Sequence, residues 1–280
     1  MRMESHETLL KAVFRVFLVG SLVFYIYPLI FTLFTSLKTI EEFYENVWAL
    51  PARFAAGNYA NAFITGKIGE YFWNSLVIAV ITLLLAMMLG IFAAYALARL
   101  NVPLGNAIVA VLLIIQILPT ESMILPLYMF MSNLNLLNVP YVPMILAYLG
   151  WVLPVTVVIL RIFFKSLPVE LLESARIDGS GELNTMFRIV MPLTGGAIAT
   201  CIVLDFNFIW GELMWAQLAT LTTDRGIPLT VGLLNFQGQY RTDWVTMAAA
   251  ICMILFPLFV LFLFLQKYLV KSLTVGSIKG

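Results

Sequence analysis

Long apolar runs alternate with short polar connections along nearly the whole chain, at about 12–36, 73–98, 106–131, 141–163, 193–218 and 244–266. A membrane-crossing helix takes roughly 20 apolar residues. The pattern therefore predicts an all-α membrane protein with six transmembrane helices. The stretch at 161–192, RIFFKSLPVELLESARIDGSGELNTMFRIVMP, departs from it. It gathers Arg161, Lys165, Glu170, Glu173, Arg176, Asp178, Glu182 and Arg188 between two apolar runs. Two short helical segments are expected there, with a turn at Gly179-Ser180-Gly181. A plain connector needs only a few residues, so this loop has a purpose of its own.

Composition agrees with the pattern: 62% hydrophobic and only 11% charged residues, and a mean hydropathy of +0.98. These values exclude an ordinary soluble domain. The net charge of +1 gives no reason to expect a nucleic-acid partner. Cys201 and Cys252 both fall in apolar runs and read as small buried hydrophobes. His6 stands alone, so no metal site is expected. The first run is too long for the apolar region of a signal peptide and lacks a cleavage pattern, and it reads as an uncleaved span.

Lysine and arginine set the expected orientation. With the N-terminus inside, eleven of the 16 Lys and Arg fall on the cytoplasmic side, and Lys38, Arg53, Lys67, Arg225 and Arg241 fall outside. Acids outside the spans divide evenly, with Asp224 among those on the outer side. Both termini and the 161–192 loop are then cytoplasmic. The reading is a single transmembrane domain over 1–280, with a core of about 70–266 and a cytoplasmic tail of about 267–280.

Polar residues inside the spans mark candidate chemistry. Pro119 and Pro126 bracket Glu121 in the third span, and proline removes a backbone donor and clashes with the preceding turn. A kink or unwound segment is expected, which suits a transport site or equally a packed kink with Glu121 bonded to backbone. The fifth span carries Asp205, Asn207 and Glu212. A carboxylate at the bilayer centre costs roughly 2.5–3.5 kcal/mol, so the two acids, seven residues apart on one helical face, are expected to face a watery path or to join helices. No phosphate-binding, metalloprotease, nucleophile-elbow or dinucleotide motif occurs, and no His or Lys stands ready to pair with the buried acids. The chain is not expected to be an enzyme, and alone it has no means of using ATP.

Within the 161–192 loop, Pro168 suits a helix start, with Glu170 and Glu173 at the positive N-terminal end. Gly179 suits a helix end. Leu183, Met186, Phe187 and Val190 recur at helical spacing as an apolar stripe that must be covered. The mixed charge disfavours a lipid-surface helix, which would be basic, so a protein partner is expected.

Glu173-Ser174-Ala175, then Gly179, then Ile189-Val190-Met191-Pro192, resembles the E-A-A-x3-G-x9-I-x-L-P motif of ABC importer permeases. Ser174 for Ala and Met191 for Leu are the departures. Arg176 to Ser180 looks like the carbohydrate-importing, maltose-type branch. Further matches lie at Tyr71 to Ser75, Ala93 to Arg99, Leu118 to Glu121, Arg225 to Leu233, and the ending Gly276, Lys279 and Gly280. Trp210-Gly211-Glu212 resembles the branch's W-N-E, with Gly211 replacing its Asn.

The resemblance implies a permease subunit in a bacterial or archaeal cell membrane. Its implied partners are a second permease, usually forming a heterodimer, two ATPase subunits that bind ATP and Mg, and an extracytoplasmic solute-binding protein. Lipid surrounds it, and the solute is a carbohydrate. No cofactor is implied in this chain itself. The loop then forms a coupling helix docked on an ATPase through Glu170, Glu173, Ser174, Ala175, Arg176, Asp178, Gly179, Met186, Phe187 and Pro192, with Gly276, Lys279 and Gly280 in a tail reaching the ATPases. Glu121, Asp205, Asn207 and Glu212 are the substrate-path candidates. A self-contained ion-coupled transporter using the buried acids is the alternative, as is an importer for a non-sugar solute such as a glycerophosphate. The ion-coupled reading gives the 161–192 loop no role, and the two halves show no inverted repeat.

Overall fold

The computed structural model describes residues 2–276 apart from 224 and 239–241, with side chains from 10 to 268. Asp224, Arg241, Lys279 and Gly280 therefore lie outside the described residues.

The chain is a succession of helices: α1 (Arg2–Ser36), α2 (Ile40–Glu45), α3 (Gly57–Ile64), α4 (Ile68–Arg99), α5 (Gly105–Ile115), α6 (Thr120–Asn133), α7 (Val142–Ser166), α8 (Val169–Ile177), α9 (Glu182–Thr185), α10 (Met191–Leu193), α11 (Gly195–Gly211), α12 (Met214–Ala219), α13 (Leu229–Gly232) and α14 (Trp244–Gly276). A π-helical turn, Met186–Val190, joins α9 to α10. Among the described residues the only β pairing is an isolated bridge between Gln237 and Thr242.

Four helices are long and apolar enough to cross a membrane: Leu10–Ser36, Ile68–Arg99, Val142–Ser166 and Trp244–Tyr268. Two bent pairs bring the count up to six if each is one span. Gly105–Ile115 meets Thr120–Asn133 at 98°, and Glu182–Leu193 meets Gly195–Gly211 at 78°. The all-α membrane architecture expected from the sequence is what the chain adopts. The third span breaks where Pro119 stands, because proline has no N–H to donate and drives the residue before it out of the helical region. Pro126, by contrast, is carried inside α6.

Two compact units divide the chain. The first comprises the residues up to Gly69 with Leu233–Phe256. In it, Lys38 is buried and donates from Nζ to the carbonyls of Val47 at 2.8 Å and Asn46 at 3.2 Å. Thr39 and Glu42 form a reciprocal capping box that starts α2. Asn58 donates to the carbonyls of Ser36 and Lys38. The buried Lys38 ammonium and the Asn58 amide are thereby paired, as burial requires. Asp243 caps α14 by accepting from the Thr246 amide.

The second unit comprises Glu70–Gly232 and the chain from Pro257 onward. Its core joins α4, α7, α8, the α9–α10 segment and α11 through Ile91, Tyr95, Leu160, Phe164, Leu172, Met186, Val190, Ala197 and Cys201. Polar pins fix the helix ends. Arg99 donates to the Phe164 and Leu167 carbonyls at the end of α7. Arg161 donates in turn to the Leu97 carbonyl and to Asn106 Oδ1. Each guanidinium thus serves carbonyls at a helix C-terminus, where a positive charge also suits the helix dipole. At the other end of α4, Asn74 donates to the Ile227 carbonyl, and Ser75 accepts from the Leu229 amide.

Candidate functional site

The polar turn between α8 and α9 is built around Gly179. Its φ of +79° is a left-handed conformation that costs glycine little. The Ser180 amide bonds the Ala175 carbonyl and the Gly179 amide bonds the Arg176 carbonyl. This is the six-to-one and five-to-two pairing of a Schellman end. An added Cβ at Gly179 would meet nothing within 4 Å, so backbone conformation alone demands glycine here.

The turn is exposed on one side and anchored on the other. Glu170, Glu173, Ser174, Asp178 and Gly179 are exposed, and Ile177 projects with 86% of its surface uncovered. Leu183 and Phe187 are also exposed, Phe187 meeting Phe92 edge to face at 6.0 Å. Leu172 and Ala175 face inward. The apolar stripe read in the second segment therefore divides. Met186 and Val190, both 0% exposed, pack into the chain's own core, which corrects the expectation that Met186 and Ala175 lie on a partner-facing surface. Periodicity registered the need for cover, and the cover is α4, α7 and α8 of the same chain.

Three side chains tie the turn to the helices. Tyr95 of α4, 4% exposed, donates to Glu182 Oε2 at 2.5 Å. Arg176 of α8 reaches Glu182 Oε1 from Nη2 at 3.0 Å and from Nε at 3.2 Å. Glu182 opens α9, where its charge also meets the positive end of the segment. Beyond it, Pro192 is exposed and lies within α10, just past the π turn. A wide turn there accommodates a proline that has no N–H to return to the ladder.

The substrate-path candidates part company. Asp205 is 3% exposed and accepts from Thr156 Oγ1 at 2.6 Å, where α11 packs on α7. It satisfies a helix interface. Asn207 is exposed. Glu212 does not continue the helix that carries Asp205, because α11 ends at Gly211. Its Oε1 accepts from the Trp215 amide at 2.7 Å. Its Oε2 accepts from the Ala216 amide at 3.1 Å and from the Tyr148 hydroxyl at 2.8 Å. Glu212 thus caps α12, and the Trp215 indole fixes the same corner by donating to the Pro143 carbonyl.

Glu212 and Glu121 share a cavity of about 260 Å³ lined with Thr120, Ile124, Trp151, Phe208, Leu213 and Met214. Trp151 and Phe208 stand edge to face at 6.0 Å, and Trp151 meets Trp215 at 6.4 Å. Glu121 sits in the first turn of α6. The sequence marks both carboxylates but neither the aromatic wall nor Tyr148. Their only sequence signal is an aromatic at a helical position, which core aromatics such as Phe164 and Phe206 share. Gly276 ends α14. Among the described residues no group of three or more metal-binding side chains converges.

Residues 86–275 match the family described as binding-protein-dependent transport system inner membrane component. The chain is 34% identical over 254 residues to the melibiose/raffinose/stachyose import permease protein MelC of Bacillus subtilis (strain 168), covering 90% of this chain and 91% of that one. It is 32% identical to the arabinooligosaccharides transport system permease protein AraQ of the same organism, covering 91% of each. A crystal structure of a bacterial ABC transporter involved in the import of the acidic polysaccharide alginate aligns with a TM-score of 0.80 at 19% identity, covering 94% of this chain and 97% of that one. That alignment shows the shared fold. With 34% identity to an import permease over nearly its full length, the chain belongs to the family of binding-protein-dependent transport system inner membrane components, in agreement with its sequence resemblance to carbohydrate-importing ABC permeases.

Proposed function

We propose that this chain forms half of the bilayer path of an ATP-driven sugar importer in a bacterial or archaeal cell membrane. A second permease completes the path. Two ATPase subunits, which bind ATP and Mg, dock on the cytoplasmic side, where both termini also lie, and a solute-binding protein delivers sugar from outside. The observation that carries this reading is the anchored, exposed turn between α8 and α9. It offers Ile177, Leu183 and Phe187 beside Glu170, Glu173 and Asp178, a mix of apolar and charged groups that suits a protein groove better than lipid. The names of the relatives support sugar as the solute class. A further solved relative, similar in fold at a TM-score of 0.69, is described as an alginate transporter in complex with an alginate pentasaccharide-bound periplasmic protein, which supports the binding-protein partner.

In this reading ATP closes the ATPase pair, the docked turns move with it, and the spans change which side of the membrane the path faces. The cavity at Glu121 and Glu212 suits sugar passage, since an aromatic wall stacks on the apolar face of a pyranose while carboxylates accept from hydroxyls. Vesicles reconstituted with the complete transporter and its binding protein test the proposal. Radiolabelled raffinose, arabinotriose and diacetylchitobiose are presented outside, with ATP at the ATPase face. ATP-dependent uptake of one of these sugars is expected. Uptake driven by a proton gradient in vesicles lacking the ATPases would overturn it in favour of an ion-coupled carrier.

A further inference from the structure

The turn's outer side serves docking in the reading above, but its inner side has a separate arrangement that docking alone does not require. Glu182 joins three elements there through hydrogen bonds. One carboxylate oxygen takes the Tyr95 hydroxyl from α4, and the other takes the Arg176 guanidinium from α8. Tyr95 lies one turn before Arg99, which holds the end of α7 through the Phe164 and Leu167 carbonyls. The chain of contacts therefore runs from the docking helix through one carboxylate to two membrane helices. Phenol-to-carboxylate and guanidinium-to-carboxylate bonds are charge-assisted and short, and so resist stretching more than apolar contacts do. The apolar packing of Leu172, Met186 and Val190 beneath the turn keeps it attached but sets no direction along the surface.

We propose that Tyr95 and Glu182 are positioning residues for transport: they transmit displacement of α8 to α4 and α7, separately from the binding of the ATPase. This inference rests on the coupling reading above. It predicts that docking and transmission can be taken apart. Tyr95→Phe removes one hydroxyl from a buried position and leaves the docking face untouched. Glu182→Gln keeps an acceptor for Tyr95 and removes the charge that holds Arg176.

The test uses the assembled transporter in vesicles, carrying a reporter cysteine at exposed Gln217 in a Cys252→Ser background. A membrane-impermeant maleimide is the probe. Its labelling rate is compared with and without ATP plus vanadate, and bound ATPase and ATP hydrolysis are measured on the same sample. In the otherwise unaltered transporter, trapping ATP is expected to change the labelling rate. In Tyr95→Phe the ATPases are expected to stay bound and to hydrolyse ATP within about twofold of the unaltered rate, while the ATP-dependent change in labelling shrinks about tenfold. Glu182→Gln is expected to show a smaller loss of the same kind. An undiminished labelling change in Tyr95→Phe overturns the inference and leaves the coupling reading standing. Release of the ATPases by Tyr95→Phe also overturns it, because the residue then serves docking. An unaltered transporter that binds no ATPase, or shows no ATP-dependent change at position 217, overturns the coupling reading and the inference together.

Discussion

Two glutamates mark the two ends of the helical stretch from α9 to α11, and each takes a tyrosine hydroxyl from a neighbouring span. Glu182 accepts from Tyr95 of α4, and Glu212 accepts from Tyr148 of α7. The pairs look alike but are made differently. Glu212 fills its remaining capacity with two backbone amides that belong to the helix it caps. Glu182 fills its capacity with the side chain of Arg176, half exposed on another element. Backbone amides cannot leave without unravelling a helix, whereas a surface guanidinium can. One glutamate is therefore a fixed corner, and the other a joint between parts. The first belongs to the rim of a cavity, and the second to the base of an exposed turn.

The comparison predicts unequal losses of stability. Glu212→Ala leaves a buried phenol and two amides without their acceptor and is expected to cost about 2–4 kcal/mol, read as a lowered midpoint of thermal unfolding in detergent. Glu182→Ala breaks a partly exposed ion pair and leaves one buried phenol but no amide without its acceptor, and is expected to cost less, about 1–2 kcal/mol. Equal losses at the two sites would break the distinction between corner and joint.

Gly179→Val sharpens the exposed side of the joint. A β-branched residue in the left-handed conformation costs about 1–2 kcal/mol, and the turn is expected to relax out of its Schellman geometry. Membrane insertion is expected to be normal while ATPase recovered with the permease falls severalfold. Asp205 gives a smaller effect. Asp205→Asn keeps an acceptor for Thr156 and is expected to change stability by under about 1.5 kcal/mol and leave solute uptake intact. Altered uptake kinetics in a stable Asp205→Asn protein would return this residue to the solute path.

The smallest effect lies outside both regions, at Lys38. Burial depresses the Lys38 ammonium below the ordinary lysine value, partly opposed by Glu42. The unfolded chain therefore binds this proton more tightly than the folded one does. Stability contributed by the turn is expected to rise as pH climbs from the depressed value toward the ordinary one. Hydrogen exchange at residues 39–47, measured up to alkaline pH, reads this directly, and an opposite slope would contradict the burial argument.

Local rules made some of this legible in the sequence and left the rest hidden. The Gly179 turn and the break before Pro119 follow from backbone sterics at single positions, so a sequence carries them openly. The division of the stripe at Met186 and Val190 does not, because periodicity reports that a face is covered without naming what covers it. Glu212 reads from the sequence as a buried helical acid because the apolar run continues past it to 218. Gly211 immediately before it, and the amides of Trp215 and Ala216 beyond, were the available signs of a helix end and a new cap. Tyr95 and Glu182 stand 87 positions apart, and only the fold brings them together.

The central claim is that the turn at Gly179 is where this permease meets an ATPase. Ser174→Cys, exposed on α8, places a thiol on that face, and a short reagent with one maleimide and one photoreactive group, attached to that thiol and irradiated in membranes containing the whole transporter, reads what lies against it. A crosslink between position 174 and an ATPase subunit, lost when a cysteine is placed at Leu221 instead, is the predicted result. Full ATP-dependent uptake with the ATPases present but never crosslinked from position 174 would contradict it.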